Sequence, residues 1–101
     1  MGALRMTTPR LLVLRVMLDD PGRERYGLDL ATSAALEPGT IYPILVAFEG
    51  AGWLTSREEE IDVHAAGRPR RRYYKLTAEG VTAARSALAR RSSPRVGRLA
   101  W

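Results

Sequence analysis

The segment LEPGTIYPILVAFEGAGWL, residues 36–54, decides the fold of this chain. Pro38 and Gly39 form a tight turn that opens a helix, and a glycine-rich stretch ends that helix at about Gly50. Apolar residues recur inside the helix at i, i+4 and i+7, which is the spacing of one buried face. These predicted core positions are Ile41, Ile44, Leu45 and Phe48. The opposite face then presents Gly39, Thr40, Tyr42, Pro43, Val46 and Ala47.

Two further helices are predicted before this segment. Thr8 is a capping residue, and Pro9 follows it at a position where a missing N–H is harmless, so a first helix extends to about Asp19. This helix is apolar nearly all round, which in so small a domain predicts one face on the core and another on a second subunit. Its aligned apolar residues are Leu11, Leu14 and Leu18. A second helix is predicted over about residues 25–35.

The pattern changes after Trp53. Residues 54–61 and 71–76 are predicted as two strands joined by a loop over residues 62–69, and Thr77 caps a fourth helix that ends at about Arg91. Three helices, a two-stranded β-hairpin wing and a C-terminal helix make an α+β, mainly α, winged helix-turn-helix. The last helix carries a narrow seam of small apolar residues. Its predicted dimer contacts are Val81, Ala84 and Leu88.

Length and composition limit the classes of function. With 101 residues, 46% of them hydrophobic, the chain has room for one domain and one core. It has no cysteine and one histidine, which excludes disulfide scaffolds, thiolate metal sites and a cysteine nucleophile. We therefore expect no cofactor, no metal, no membrane segment and a cytoplasmic location. The predicted division is a flexible arm (1–7), a winged-helix domain with dimerising first and last helices (8–91) and a flexible tail (92–101).

The charge is strongly uneven along the chain. Residues 1–67 hold six basic and ten acidic side chains, whereas residues 68–101 hold ten basic and one acidic. Fifteen of the sixteen basic residues are arginine, whose planar fork matches phosphate oxygens, so a polyanionic partner is indicated. A GC-rich codon bias would also favour arginine over lysine, but it does not explain the clustering. The densest cluster is Arg68, Arg70, Arg71, Arg72 and Lys75.

Two motifs resemble those of a known family. LEPGTIYPILVAFEGAGWL and GRPRRRYYKLTAEG (residues 67–80), with Tyr26-Gly27 at the start of the second helix, are similar to signatures of PadR-type bacterial transcriptional regulators. The resemblance implies a dimeric repressor that binds an inverted repeat in double-stranded DNA. It also implies a third helix in the major groove, a wing on the flanking DNA and, in many members, release by a small aromatic effector.

The chain departs from this family pattern at three places. Glu37 stands where a capping Ser or Thr is common, and Ala47 stands where a basic residue is common. The C-terminal helix is short and rich in alanine. The first two departures weaken DNA contacts from the third helix, and the last puts the usual dimer helix and effector pocket in question.

The predicted DNA contacts form two sets. On the third helix they are Gly39, Thr40, Tyr42 and Pro43; on the wing they are the five basic residues of residues 68–75. Hydroxyl groups reach phosphates and apolar groups reach thymine methyls, but the helix offers no Arg, Lys, Asn or Gln for bidentate base pairing. In the second strand Tyr74 and Leu76 are expected to face the core, which leaves Tyr73 as the more accessible tyrosine.

Other interpretations remain open. The carboxylates Glu58, Glu59, Glu60 and Asp62 can pair with the wing arginines, whereas an exposed run of acids is a poor candidate for catalysis, so an enzyme is not expected. A protein-interaction or dimerisation module with only non-specific polyanion affinity is the main alternative, and RNA binding is a lesser one. Trp101 is either a disordered terminus or an anchor for an effector.

Overall fold

The computed structural model describes residues 4–92, which contain five helices and one three-stranded sheet. In chain order the elements are α1 (Thr8–Leu18), β1 (Arg25–Tyr26), α2 (Gly27–Ala34), α3 (Pro38–Gly50), β2 (Leu54–Glu58), α4 (Val63–Ala66), β3 (Arg72–Leu76) and α5 (Ala78–Ser92). The sheet order is β1-β3-β2, and both pairings are antiparallel. The α+β winged helix-turn-helix prediction is confirmed, with one strand and one short helix more than the sequence indicated.

Helix α1 begins one residue earlier than predicted. Thr7, rather than Thr8, is the N-cap, and its hydroxyl accepts a hydrogen bond from the Arg10 N–H at 3.3 Å. Before the cap, Leu4 and Met6 pack against the core, so this part of the predicted flexible arm is in contact with the domain. The predicted C-terminal tail and residues 1–3 lie outside the described residues, apart from Ser92, which closes α5.

The predicted second helix is wrong at its start because Arg25 and Tyr26 form a strand. This strand pairs with β3 through Arg25–Tyr74 and Tyr26–Tyr73. Arg25 is only 8% exposed, and its guanidinium donates to both Asp29 carboxylate oxygens, at 2.5 and 3.0 Å, and to the Ser33 hydroxyl at 2.7 Å. This contact stabilises the junction between the sheet and α2.

A tight turn joins α2 to α3, as in a helix-turn-helix. Ala35 ends α2 in the left-handed region with φ of 57°, and the Leu36 N–H then donates to the Ala31 carbonyl at 2.8 Å. Such a left-handed residue with a reverse hydrogen bond is a common helix end. The predicted inner face of α3 is confirmed, since all four of its apolar residues are buried: Ile41, Ile44, Leu45 and Phe48.

The wing is the β2–β3 hairpin with its connecting loop, residues 54–76. Both strands are shorter than predicted because β2 ends at Glu58 and β3 starts at Arg72. The loop between them contains α4, which Asp62 caps by accepting hydrogen bonds from two backbone N–H groups. The predicted alternation along β3 is confirmed: Tyr74 and Leu76 are buried at 6% and 5% exposure.

The wing is joined to α5 by a close backbone contact. The Thr77 hydroxyl caps α5 by accepting from the Gly80 N–H at 2.9 Å, as predicted. A Cβ atom on Gly80 would stand 2.0 Å from the Trp53 carbonyl oxygen, so only glycine fits here. Trp53 itself is half-buried and packs its ring on Phe48 with centroids 5.3 Å apart. Together, the Gly80 contact with the Trp53 backbone and the Phe48 contact with the Trp53 ring hold the base of the wing against α5 and α3.

The predicted dimer contacts separate into buried and accessible residues. Leu14 and Ala84 have no exposed surface, and Leu11 is 7% exposed, because all three pack in the core of the protomer. The assignment of Leu14 and Ala84 to a dimer surface is therefore corrected: both lie in the core of the protomer, within which α1 packs on α5. Leu18, Val81 and Leu88 are only partly buried and stay accessible to a partner.

Candidate nucleic-acid interface

Helix α3 presents its predicted outer face to solvent. Gly39, Thr40, Tyr42 and Pro43 are all exposed, whereas Ala47 is half-buried. Glu37 precedes the helix without making a side-chain cap, so the sequence departure at this position has a structural consequence. Pro43 lies inside the helix and cannot donate to the Gly39 carbonyl, which leaves that carbonyl without its helical partner. The face therefore offers hydroxyl groups, backbone groups and apolar surface.

The ring of Tyr42 lies against the backbone of Gly27 at the start of α2. A Cβ atom on Gly27 would be 2.4 Å from Cε1 of the Tyr42 ring and 2.7 Å from its hydroxyl oxygen. Glycine is therefore required for this placement of the ring, which remains 44% exposed. Gly27 thus leaves room for the ring of the tyrosine that the sequence assigns to DNA contact.

The Glu59 carboxylate forms an ion pair with one of the five basic side chains of the segment 68–75. Both Arg68 Nη atoms donate to its carboxylate, at 2.8 and 2.9 Å. The Arg71 backbone N–H and the Tyr73 hydroxyl donate to the same carboxylate, at 3.1 and 3.2 Å. These donors, Arg68 first, lower the pKa of Glu59 from 4.5 to about 2. The pairing of acids with wing arginines that the sequence left open is therefore present at Glu59.

The other four basic residues of the segment 68–75 have no carboxylate partner among residues 4–92. Arg70 is exposed and lies in an open groove beside Glu58, Glu60 and Asp62, outside ion-pair distance. Arg71 places its guanidinium over the Tyr26 ring, 4.2 Å from the centroid. The remaining two are Arg72, which donates to the Ser56 hydroxyl at 3.0 Å, and the half-exposed Lys75.

An aromatic cluster on the outer side of the sheet supports the wing, and the sequence analysis missed most of it. The Tyr26 and Tyr73 rings meet edge to face, with centroids 5.9 Å apart. Arg57 lies over Tyr73 at 5.2 Å and donates twice to Glu24, which lowers the pKa of Glu24. Tyr73 is thus engaged within the wing rather than fully available to a ligand. Strand β1 has two residues and gives no periodic signal, so the sequence pattern cannot identify Tyr26 as the partner of Tyr73.

Two further grooves lie beside these surfaces. One, of about 540 Å³, opens between α2 and the wing loop and is lined by Tyr26, Leu28, Asp29, Thr32, Arg68, Pro69 and Arg71. The other, of about 210 Å³, lies between α1 and α5 beside Leu11, Leu12 and Leu88. His64 is exposed on α4, and Trp101 lies outside the described residues. Residues 4–92 contain no cluster of metal-ligating side chains and no helix long and apolar enough to cross a membrane.

The chain is similar to known transcriptional regulators. Residues 13–86 match the family model described as the transcriptional regulator PadR-like family. A PadR family transcriptional regulator from Eggerthella lenta is 26% identical, with a TM-score of 0.69 over 90% of this chain and 83% of that chain. A PadR-like transcription factor from Bacteroides fragilis is 24% identical, with a TM-score of 0.67 over 90% of this chain and 91% of that chain.

Other solved structures share the fold at lower identity. The PcaV transcriptional regulator from Streptomyces coelicolor, solved with its natural ligand, is 22% identical, with a TM-score of 0.64 over 84% of this chain and 55% of that chain. No significant match was found among proteins with curated descriptions. The family model covers most of the chain and the exposed α3 face stands beside a basic wing, so the chain belongs to the PadR-like family of transcriptional regulators, which are not enzymes.

Proposed function

We propose that this chain is a homodimeric repressor that binds a palindromic promoter site in the bacterial cytoplasm. The observation that carries the proposal is the combination of two surfaces. The outer face of α3 is exposed, and four of the five basic residues of the segment 68–75 have no carboxylate partner among residues 4–92. Transcriptional regulators of this family bind DNA, so these two surfaces are the natural contacts with the duplex.

In the proposed complex α3 enters the major groove. Thr40 and Tyr42 donate hydrogen bonds to phosphates or base edges, and Gly39 and Pro43 let the helix approach the backbone closely. The wing neutralises phosphates of the flanking DNA through Arg70, Arg71, Arg72 and Lys75. Arg68, which Glu59 holds, serves instead to fix the loop that carries these side chains. A bound dimer would block access of the polymerase to the promoter.

The proposed dimer uses the accessible sides of α1 and α5. Leu12, Val16 and Leu18 of α1 and Leu88 of α5 are only partly buried by the protomer. Two-fold symmetry then places two α3 helices on one face of the duplex, with half-sites about 34 Å apart, or one helical turn. Sedimentation equilibrium at micromolar concentration tests this point: we expect the dimer mass, and a monomer mass would contradict it.

A small aromatic effector forms part of the proposal. Support comes from two neighbours with the same fold, since PcaV was solved with its natural ligand and DNA binding by BpsR of Bordetella bronchiseptica is regulated by 6-hydroxynicotinic acid. The groove between α2 and the wing loop offers an aromatic ring, aliphatic surface and guanidinium groups to such a ligand. Titration of the protein–DNA complex with a panel of aromatic acids tests the effector: release of DNA by one of them supports it.

The experiment that tests the function is selection from a random duplex library by the purified protein. We expect an enriched palindrome whose binding weakens steeply with salt. Binding without any enriched sequence would favour the alternative, a winged-helix interaction module with non-specific affinity for polyanions. That alternative draws its support from the absence of bidentate base-reading side chains on the outer face of α3.

A further inference from the structure

Three large apolar side chains are exposed among residues 4–92. They are Leu28 at 53%, Tyr42 at 44% and Val46 at 68% exposure. All three lie on the helix-turn-helix unit: Leu28 follows the glycine that Tyr42 contacts, and Val46 lies one turn after Tyr42 on the outer face of α3. Leu28 borders the groove between α2 and the wing loop, whereas Tyr42 and Val46 lie together on the outer face of α3, and exposed apolar side chains grouped on one helix face mark a place where something binds.

The same face lacks the side chains that usually read bases. Between Gly39 and Ala47 there is no charged residue and no amide side chain. Guanine is commonly read by Arg or Lys, and adenine by Asn or Gln, through paired hydrogen bonds. The distinctive apolar group in the major groove is the 5-methyl group of thymine. The apolar part of this face, formed by Tyr42 and Val46, is therefore complementary to the thymine methyl group, whereas the hydroxyl groups beside it do not select one base.

We propose that Val46, together with the ring of Tyr42, reads thymine methyl groups, so that the preferred half-site contains A·T pairs at the positions facing α3. This inference rests on the proposed DNA-binding function and specifies how the site is recognised. The occupant is DNA rather than a protein because the wing, whose strand β2 packs against α3, carries cations without a carboxylate partner; one of them, Arg72, donates to Ser56, which in turn donates to Glu49 near the end of α3. Apolar surface beside phosphate-binding charge matches a duplex groove.

Both side chains are held before DNA arrives. The Tyr42 ring rests on the Gly27 backbone, which sets the side of α3 on which the ring lies. Val46 is β-branched on a helix, so its side chain has one strongly preferred rotamer. Little side-chain freedom is therefore lost when the methyl groups meet thymine, and a small contact area is sufficient for discrimination.

The test uses the duplex enriched in the selection experiment and a second duplex in which deoxyuridine replaces each thymine of the half-sites. Deoxyuridine keeps the same base pairing and removes only the methyl group. Burial of one methyl-sized group corresponds to about 0.8 kcal/mol, or roughly a fourfold change in Kd. Loss of one such contact in each half-site of a dimer is therefore expected to weaken binding about fifteenfold.

Val46→Ala then assigns the effect to the residue. This variant is expected to bind the thymine duplex more weakly than the parent and to show little difference between the thymine and deoxyuridine duplexes. Val63→Ala, the same truncation on α4 of the wing, is the matched control and should keep the full difference between the two duplexes. Circular dichroism melting of both variants confirms that each is folded.

The outcomes separate this inference from the function on which it rests. Selection that enriches no sequence contradicts the proposed function. An enriched sequence whose deoxyuridine form binds with unchanged Kd contradicts the methyl readout and leaves the function intact. A methyl effect that persists in Val46→Ala contradicts the role of Val46. A methyl effect that disappears in this variant and persists in Val63→Ala supports the inference.

Discussion

The structure separates two wing arginines that are equivalent in the sequence. Arg68 is bound by Glu59 through two hydrogen bonds, of 2.8 and 2.9 Å, whereas Arg70 is exposed and has no ion pair among residues 4–92. Arg68→Gln and Arg70→Gln remove the same charge from the same loop. We expect them to alter DNA binding differently, because only Arg70 has its charge available to a phosphate.

The magnitude follows from counterion release. Each phosphate neutralised by the protein contributes about −0.9 to the slope of log K against log salt on duplex DNA. A dimer loses two such contacts in Arg70→Gln, so its slope becomes shallower by about 1.8. When the salt concentration is raised from 50 to 200 mM, the fold loss of affinity should therefore be roughly twelve times smaller for this variant than for the parent protein.

Arg68→Gln should act through geometry instead. Loss of the Arg68 guanidinium deprives the Glu59 carboxylate of its strongest hydrogen-bond donor and loosens the wing loop. The affinity for DNA therefore falls by a similar factor at every salt concentration. Fluorescence anisotropy with a labelled duplex at four or more salt concentrations measures both slopes. Equal flattening of the slope by the two variants would refute the assignment of Arg68 to wing structure.

Three further predictions concern single residues. The folded protein lowers the pKa of Glu59 to about 2. The contribution of the Glu59 carboxylate to stability is therefore complete above about pH 4.5 and is lost as the pH falls toward 2. In circular dichroism melts, the difference in thermal stability between the parent and Glu59→Gln should narrow over this range. Gly80→Ala places a Cβ atom 2.0 Å from the Trp53 carbonyl and should destabilise the protein by about 1–3 kcal/mol in chemical unfolding, whereas Gly22→Ala, whose Cβ meets nothing within 4 Å, should not; equal stabilities would contradict the close contact. Gly27→Ala displaces the Tyr42 ring and should weaken DNA binding in the parent but not in a Tyr42→Ala background, so additive losses in this double-mutant cycle would argue against the positioning role.

The sequence was sufficient to predict the elements that have strong local signals. Helix α3 has clear end signals and a regular apolar repeat, and the alternation along β3 correctly separates buried Tyr74 and Leu76 from their neighbours. The run of acidic residues also predicts ion pairs with the wing arginines, and the Glu59–Arg68 pair confirms one of them. Local periodicity and charge complementarity therefore predict the core and the outline of the wing.

Features that depend on long-range pairing were not predictable in the same way. β1 is two residues long, too short for an alternating pattern, and Tyr26 is placed only by its pairing with β3. The apolar surface of α1 and α5 predicts burial but does not specify the partner, so the sequence pattern alone cannot show that the protomer itself buries Leu14 and Ala84. Sequence spacing also does not specify which of the five basic residues of the segment 68–75 pairs with a carboxylate, because this depends on where the loop that contains α4 folds back.

The central claim is that the basic wing and α3 recognise a specific duplex. The most direct test is the fluorescence anisotropy of labelled DNA during titration with the purified protein. Two duplexes are compared at several salt concentrations: one from upstream of the protein's own gene and one with a scrambled sequence. We predict tighter binding to the upstream duplex and a steep loss of affinity with salt. Equal, weak binding to both duplexes would contradict specific recognition of the upstream duplex by the wing and α3.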